Sequence, residues 1–188
     1  MIDLDTIWQR FRPEVEAELK LAIGEASLPM YDMMRYHLGW VDERGRPQPT
    51  TAGKRLRPIL CLLACEAVGG EWNKALPAAA AVELVHNFSL IHDDIQDSSP
   101  ERRGRATVWR VWGEPQAINV GDGMHALALS FLLRLEEAGV LHHKVVRAAR
   151  ILGEASLKLC EGQYLDISYE KRLNIRVKDY LEMIGCKT

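Results

Sequence analysis

Long apolar runs are missing from this chain: no stretch approaches the roughly 20 consecutive apolar residues that a membrane-spanning helix needs, so no span is expected. An excess of positive charge is missing too. Against 24 lysines and arginines stand 26 acids, a net charge of −2 that removes the electrostatic footprint of a nucleic-acid binder. With Asp3 and Asp5, the start of the chain lacks the basic-then-apolar form of a secretion signal, so the expected location is the cytoplasm. The cysteines, Cys61, Cys65, Cys160 and Cys186, include no C-x-x-C pair, and free thiols are expected. Nothing along the chain reads as a convincing strand, and no internal repeat is visible. At 47% hydrophobic over 188 residues there is material for one core, so a single domain over 1–188, built from helices, is expected.

What is present is helical periodicity. Ile7, Phe11, Val15, Leu19 and Ile23 repeat every four residues, giving a first amphipathic helix with a bend expected near Pro13. Pro29 opens a short second helix that ends near Gly39, and the proline- and glycine-rich stretch up to Gly53 is a loop. G-K-R-L-R-P at 53–58 then precedes the apolar run from Ile59 to Val68. Pro58 suits a first helical turn, so Lys54 and Arg57 belong at a helix N-terminus, where backbone N–H groups and cations can hold an anion. Gly69 and Gly70 end that helix, and Asn73 is the candidate cap for the next. Further helices are expected from about Pro115 to Glu137, from about Leu141 to Tyr169, and through V-K-D-Y-L-E-M-I-G-C-K at the end. Trp109 and Trp112 are expected as packing anchors. Gly162 in mid-helix costs about 1 kcal/mol relative to alanine, which implies that something approaches closely there.

The chemistry concentrates in E-L-V-H-N-F-S-L-I-H-D-D-I-Q-D-S-S-P-E-R-R-G-R, residues 83–105. His86, Asp93 and Asp97 recur at helical spacing with Asp94 beside them, an arrangement able to chelate a hard cation. Each acid at a helix C-terminus is unfavourable by about 0.3–1 kcal/mol against the helix dipole, and a bound Mg²⁺ would reverse that sign. Ser98, Ser99 and Pro100 break the helix, and Arg102, Arg103 and Arg105 follow as cationic phosphate donors in the same loop. An acidic helix end before a basic loop also describes an ordinary solvated surface, and D-D-x-x-D alone does not separate the two.

G-K-R-L-R-P, the 83–97 stretch, R-R-G-R-A-T, I-N-V-G-D, C-E-G-Q-Y-L-D and Y-L-E-M-I-G-C-K-T occur in one order, and in that order the chain resembles the trans-isoprenyl diphosphate synthases of the polyprenyl synthetase family. The resemblance implies an all-α isoprenoid-synthase-like bundle around a central cavity, and a Mg²⁺-dependent head-to-tail condensation of isopentenyl diphosphate with an allylic prenyl diphosphate. It implies that Asp93, Asp94 and Asp97 hold Mg²⁺ and that Arg102 contacts the allylic diphosphate. Lys54, Arg57, His86 and Arg103 would bind isopentenyl diphosphate, with Gln163, Lys187 and Thr188 near the reacting carbon. A homo-oligomer, a dimer, is expected on a separate ground: helices missing from the bundle would leave apolar core faces to be covered by association.

In the family's pattern a second aspartate-rich motif follows the K-T pair, whereas here D-D-x-x-D occurs once. The simplest expectation is therefore the N-terminal portion of a longer synthase, inactive or nearly so by itself, and the alternative is a non-catalytic subunit of a heteromeric synthase. An H-D type metal phosphohydrolase, suggested by His92-Asp93, gives no reason for R-R-G after the acids. Phe88 and Ser89, one turn before Asp93, are expected to set the floor under a growing prenyl chain. By resemblance, an aromatic residue five positions before the first aspartate points to a farnesyl-to-geranylgeranyl class product, with geranylgeranyl favoured.

Overall fold

The computed structural model describes residues 3–48, 53–170 and 172–187. Eight helices dominate: α1 (Leu4–Ile23), α2 (Pro29–His37), α3 (Leu56–Ala67), α4 (Leu76–Gln96), α5 (Val108–Trp112), α6 (Glu114–Leu132), α7 (His142–Tyr169) and α8 (Val177–Lys187). The chain divides into two compact units, Met1–Val145 and Val146–Thr188.

In the first unit α4 is the element against which the others pack, with α1, α3, α5 and α6 all in contact with it and α6 running along it most extensively. Its sequence explains that position. Ala79, Ala80 and Ala81 present no side chain beyond Cβ and are fully buried, so neighbouring helices approach closely, while Leu84, Val85, Phe88 and Ile91 supply the apolar bulk. Each large apolar side chain so buried contributes about 1.5–3 kcal/mol before entropy is counted. On α1 the residues facing inward are Phe11, Val15, Leu19 and Ile23, four apart as the periodicity requires, and the helix runs unbroken through Pro13.

Two local expectations are corrected. Asn73 caps no α-helix: it lies within a 3₁₀ turn, Trp72–Ala75, and α4 starts without a side-chain cap, with Pro77 in its first turn. Proline supplies the start signal there because the N–H it lacks is one that a first turn leaves unbonded anyway. The arginine loop, in turn, contains two short antiparallel strands, β1 (Glu101–Arg102) and β2 (Arg105–Ala106), with Arg102 opposite Arg105. The two residues between them, Arg103 and Gly104, both have positive φ (55° and 73°). That is the pattern of the tight type I′ hairpin, which matches strand twist.

In the second unit α8 returns to α7 at Gly162. A Cβ at that position would collide with the backbone of Cys186 and Lys187, which accounts for the mid-helix glycine. Lys187 Nζ pairs with Asp166 of α7, so the two helices are fastened at that level.

Candidate diphosphate site

The end of α4 separates its three aspartates. Asp94 is turned into the protein at 2% exposure, where Arg102 Nε and Nη2 both donate to its Oδ1 at 2.8 Å. Its Oδ2 is shielded and has no hydrogen-bond partner. Burial, opposed by Arg102 and reinforced by the charges of Asp93 and Asp97, pushes the Asp94 carboxyl up to about 6. Asp93 is partly exposed and Asp97 exposed, one turn apart, with the Asp97 N–H closing the last turn onto the Asp93 carbonyl at 2.8 Å. Asp93 and Asp97, at i and i+4 on the helix end, offer the hard oxygens that Mg²⁺ takes, while no group of three or more His, Cys, Asp or Glu side chains is gathered closely enough to hold a metal ion among the described residues.

The arginines divide in the same way. Arg105 lies 4.0 Å over the ring of Tyr36, and its Nη1 and Nη2 donate to the Tyr36 and Val41 carbonyls (3.1 and 2.7 Å). It is thus a clamp for the hairpin, where sequence reasoning had grouped it with the phosphate donors. Arg102 is taken up by Asp94 yet keeps about a third of its side chain exposed (32%). Arg103, at the tip, is exposed and lies against Gly53, whose missing Cβ makes room for the guanidinium.

That contact joins the hairpin to the G-K-R-L-R-P segment. Arg57, exposed in the first turn of α3, donates from Nη1 to Nε2 of His86 on α4 at 3.4 Å. Burial first, then Arg57, Arg103, Arg102 and Arg55, lower the His86 imidazole to about 4, so the ring is neutral at pH 7 and able to accept that hydrogen bond. Lys54 is exposed just ahead of α3, and its carbonyl accepts a 2.7 Å hydrogen bond from Trp8 Nε1. Arg57, His86 and Arg103 therefore form one basic group, and Arg102 lies next to Arg103 in the chain.

Three features escaped sequence reasoning. Arg55, the middle cation of K-R-L-R, is buried, as are its acidic partner Glu83 and Asn87. A signal existed: Glu83 is the only charged residue between Lys74 and Asp93, and an acid inside an apolar helix requires a buried cation. His37 was also passed over. Its Nε2 is shielded without a hydrogen-bond partner, and burial together with Arg103, Arg102, Arg55 and His86 depresses it to about 3. It lines a cavity of about 320 Å³ with Asp94, Arg102, Arg103, Arg105 and Thr107. Finally, Gly121 of I-N-V-G-D is where His92 rests on α6, with His92 Nε2 3.4 Å from the Ile118 carbonyl and 3.6 Å from Asp122.

Phe88 is 6% exposed and packs on His125 of α6 (4.7 Å between centroids) and edge-on to His92 (5.8 Å). Ser89 is buried, its hydroxyl donating to the His86 carbonyl at 2.8 Å. In the second unit Gln163 is buried and Lys187 is paired with Asp166. Thr188 lies outside the described residues.

The chain is all-α apart from one short hairpin, with acids gathered at the end of α4 and cations at the start of α3. The polyprenyl synthetase family model matches residues 40–188, and the chain belongs to that family. It is 42% identical over 180 residues to the geranylgeranyl diphosphate synthase of Mycobacterium tuberculosis, covering 96% of this chain and 50% of that protein. It is 43% identical over 159 residues to the (2E,6E)-farnesyl diphosphate synthase of Mycobacterium bovis, covering 85% of this chain and 43% of that protein. The crystal structure of a polyprenyl synthetase from Streptomyces coelicolor superimposes with a TM-score of 0.90 at 44% identity, over 99% of this chain and 54% of that one. The chain thus has the all-α isoprenoid-synthase fold and spans about half the length of the curated relatives it matches.

Proposed function

We propose that the chain carries the substrate-activating half of a prenyltransferase that joins isopentenyl diphosphate to an allylic diphosphate. The observation that supports this best is the Arg103–Gly104 turn. One side of it sets Arg102 on Asp94 at the acidic end of α4, and its tip sets Arg103 on Gly53 at the N-terminus of α3. A single two-residue turn therefore couples an acidic site and a basic site, as two diphosphates require.

On this reading the isopentenyl diphosphate takes Lys54, Arg57 and Arg103, with neutral His86 holding Arg57 in place through its ring nitrogen. The allylic diphosphate takes Arg102, kept in one orientation by Asp94. Asp93 and Asp97 would hold Mg²⁺, which when bound supplies positive charge to the departing diphosphate. Asp94, also expected as a metal ligand, is placed to orient Arg102 and to add field. Gln163, Lys187 and Thr188 are assigned to the reacting carbon on the family's pattern. As the allylic C–O bond breaks, its electrons leave with the diphosphate. The isopentenyl double bond then attacks the allylic carbon and a proton is lost, giving a prenyl diphosphate five carbons longer and free diphosphate. Fixed cations contribute because they are in place before charge develops.

We assign the product to the farnesyl-to-geranylgeranyl class, and the exposed apolar side chains of Ile118 and Leu129 on α6 and of Leu133 just after it support pairing with a second copy of the chain. The test is a condensation assay with Mg²⁺, isopentenyl diphosphate and geranyl diphosphate in the full-length protein. A longer prenyl diphosphate is expected, and release of inorganic phosphate without a longer product would overturn the reading. Because D-D-x-x-D occurs once, the 188-residue chain alone is expected to be inactive or nearly so.

A further inference from the structure

We infer that Arg55 is a positioning residue for the basic group, fixing the segment from which Lys54 and Arg57 reach a diphosphate. This rests on the reading of that group as a diphosphate site. Three cations in four residues look interchangeable in sequence, and the fold sorts them. Lys54 and Arg57 are exposed, whereas the Arg55 side chain has no exposed surface.

Its guanidinium spans two helices. Nε donates to Glu16 Oε1 of α1 at 2.7 Å and Nη1 to Glu83 Oε1 of α4 at 2.9 Å, with Nη2 also 3.4 Å from the Leu38 carbonyl. Both acids are held in turn: Glu16 Oε2 accepts from Trp40 Nε1 at 2.9 Å, and Glu83 Oε1 accepts from Asn87 Nδ2 at 3.1 Å. The backbone at Arg55 is left-handed (φ 51°, ψ 36°), a conformation unfavourable by about 1–3 kcal/mol for a residue with a side chain. The strain persists because the fork over-determines it. It also reverses the chain one residue before α3, which separates Lys54 from Arg57.

Stability alone is a weak reason for such a group, since buried ion pairs are often no better than apolar replacements of equal volume. What a planar fork provides is a fixed geometry relative to two helices. Here the helices are α4, which carries His86, and α1, whose Trp8 holds the Lys54 carbonyl. Arg55 therefore sets the loop against the same two helices that complete the basic group.

The experiment is calorimetric titration of the chain with inorganic pyrophosphate in EDTA, at a temperature where circular dichroism shows each variant as folded as the parent. Arg55→Lys keeps the charge and loses the fork, and it is expected to weaken binding by about tenfold or more, since small misplacements have such effects. Glu16→Gln, a milder change that leaves Glu83 as anchor, is expected to weaken binding by about threefold. Folded variants with lower melting temperatures and parental affinity would show a merely structural role and overturn the inference. Arg57→Ala and Arg103→Ala separate the two claims. If they weaken binding while Arg55→Lys and Glu16→Gln do not, this inference alone fails; if they leave binding unchanged, the diphosphate reading fails and takes the inference with it.

Discussion

The guanidinium of Arg103 lies so close to the Cα of Gly53 that a Cβ built there would stand 2.9 Å from Nη2 and 3.0 Å from Cζ. The clash is with the free end of a flexible side chain, so Gly53→Ala is expected to displace Arg103 without unfolding the protein. Stability should change by no more than about 0.5 kcal/mol, while affinity for pyrophosphate in EDTA falls several-fold. Thermal melts and calorimetry on one variant check both halves.

Neighbouring arginines should behave oppositely. Arg102→Ala strands the buried carboxylate of Asp94, and stability is expected to fall by about 2–3 kcal/mol, the usual loss for breaking a buried pair reduced because Arg102 is partly exposed. Arg103→Ala should leave stability within about 0.5 kcal/mol and weaken pyrophosphate binding instead. Urea unfolding beside calorimetry distinguishes the pair.

For the aspartates, Asp93→Asn and Asp97→Asn remove like charges from a helix C-terminus and should hold or slightly raise the melting temperature in EDTA, by up to about 1 kcal/mol of stability. Mg²⁺ is expected to raise the melting temperature of the parent chain, and both substitutions should abolish that rise. Unaltered Mg²⁺ stabilisation in both variants would remove the metal assignment.

Much of this was legible in the sequence, and the unread part has a common cause. Helix bounds followed from period and punctuation: Phe11, Val15 and Leu19 for α1, Pro29 for α2, Gly69 for the end of α3. The acidic and basic groups were visible because charge clusters in chemical runs. Invisible were decisions that depend on a partner distant in the chain. Arg55 and Arg105 look like Lys54 and Arg103 until Glu16, Glu83 and two carbonyls are brought to them, and Asp94 looks like Asp93 until the hairpin returns Arg102. The hairpin itself was hidden because Arg-Gly is a less common type I′ pair than Asn-Gly.

His37 sets an acid limit. Unfolded, its ring takes a proton near the ordinary 6.5, and folded only near 3, so between those values the unfolded state binds more protons and stability falls as pH drops. The surrounding groups, Arg103, Arg102, Arg55 and His86, all oppose a second positive charge there. Urea unfolding at pH 7 and pH 5 should show the loss, and His37→Asn should shrink it. An equal loss in the variant would place the effect elsewhere.

Product length tests Phe88. With its ring between α4 and His125 of α6, Phe88→Ala in the full-length protein should open space beneath the acids and lengthen the prenyl product, at about 3–5 kcal/mol of stability. Chromatography of the products decides it, and an unchanged distribution with retained activity would sink the floor assignment.

On the proposed function, one chain holds two diphosphates by different means, one through fixed cations and one through aspartate-bound metal. Calorimetric titration with isopentenyl diphosphate and with geranyl diphosphate, each with Mg²⁺ and with EDTA, addresses it most directly. Isopentenyl diphosphate is expected to bind in EDTA and to lose affinity on Arg57→Ala, whereas geranyl diphosphate is expected to need Mg²⁺ and to lose affinity on Asp97→Asn. Equal metal dependence for the two ligands, or indifference of both to these substitutions, would contradict it.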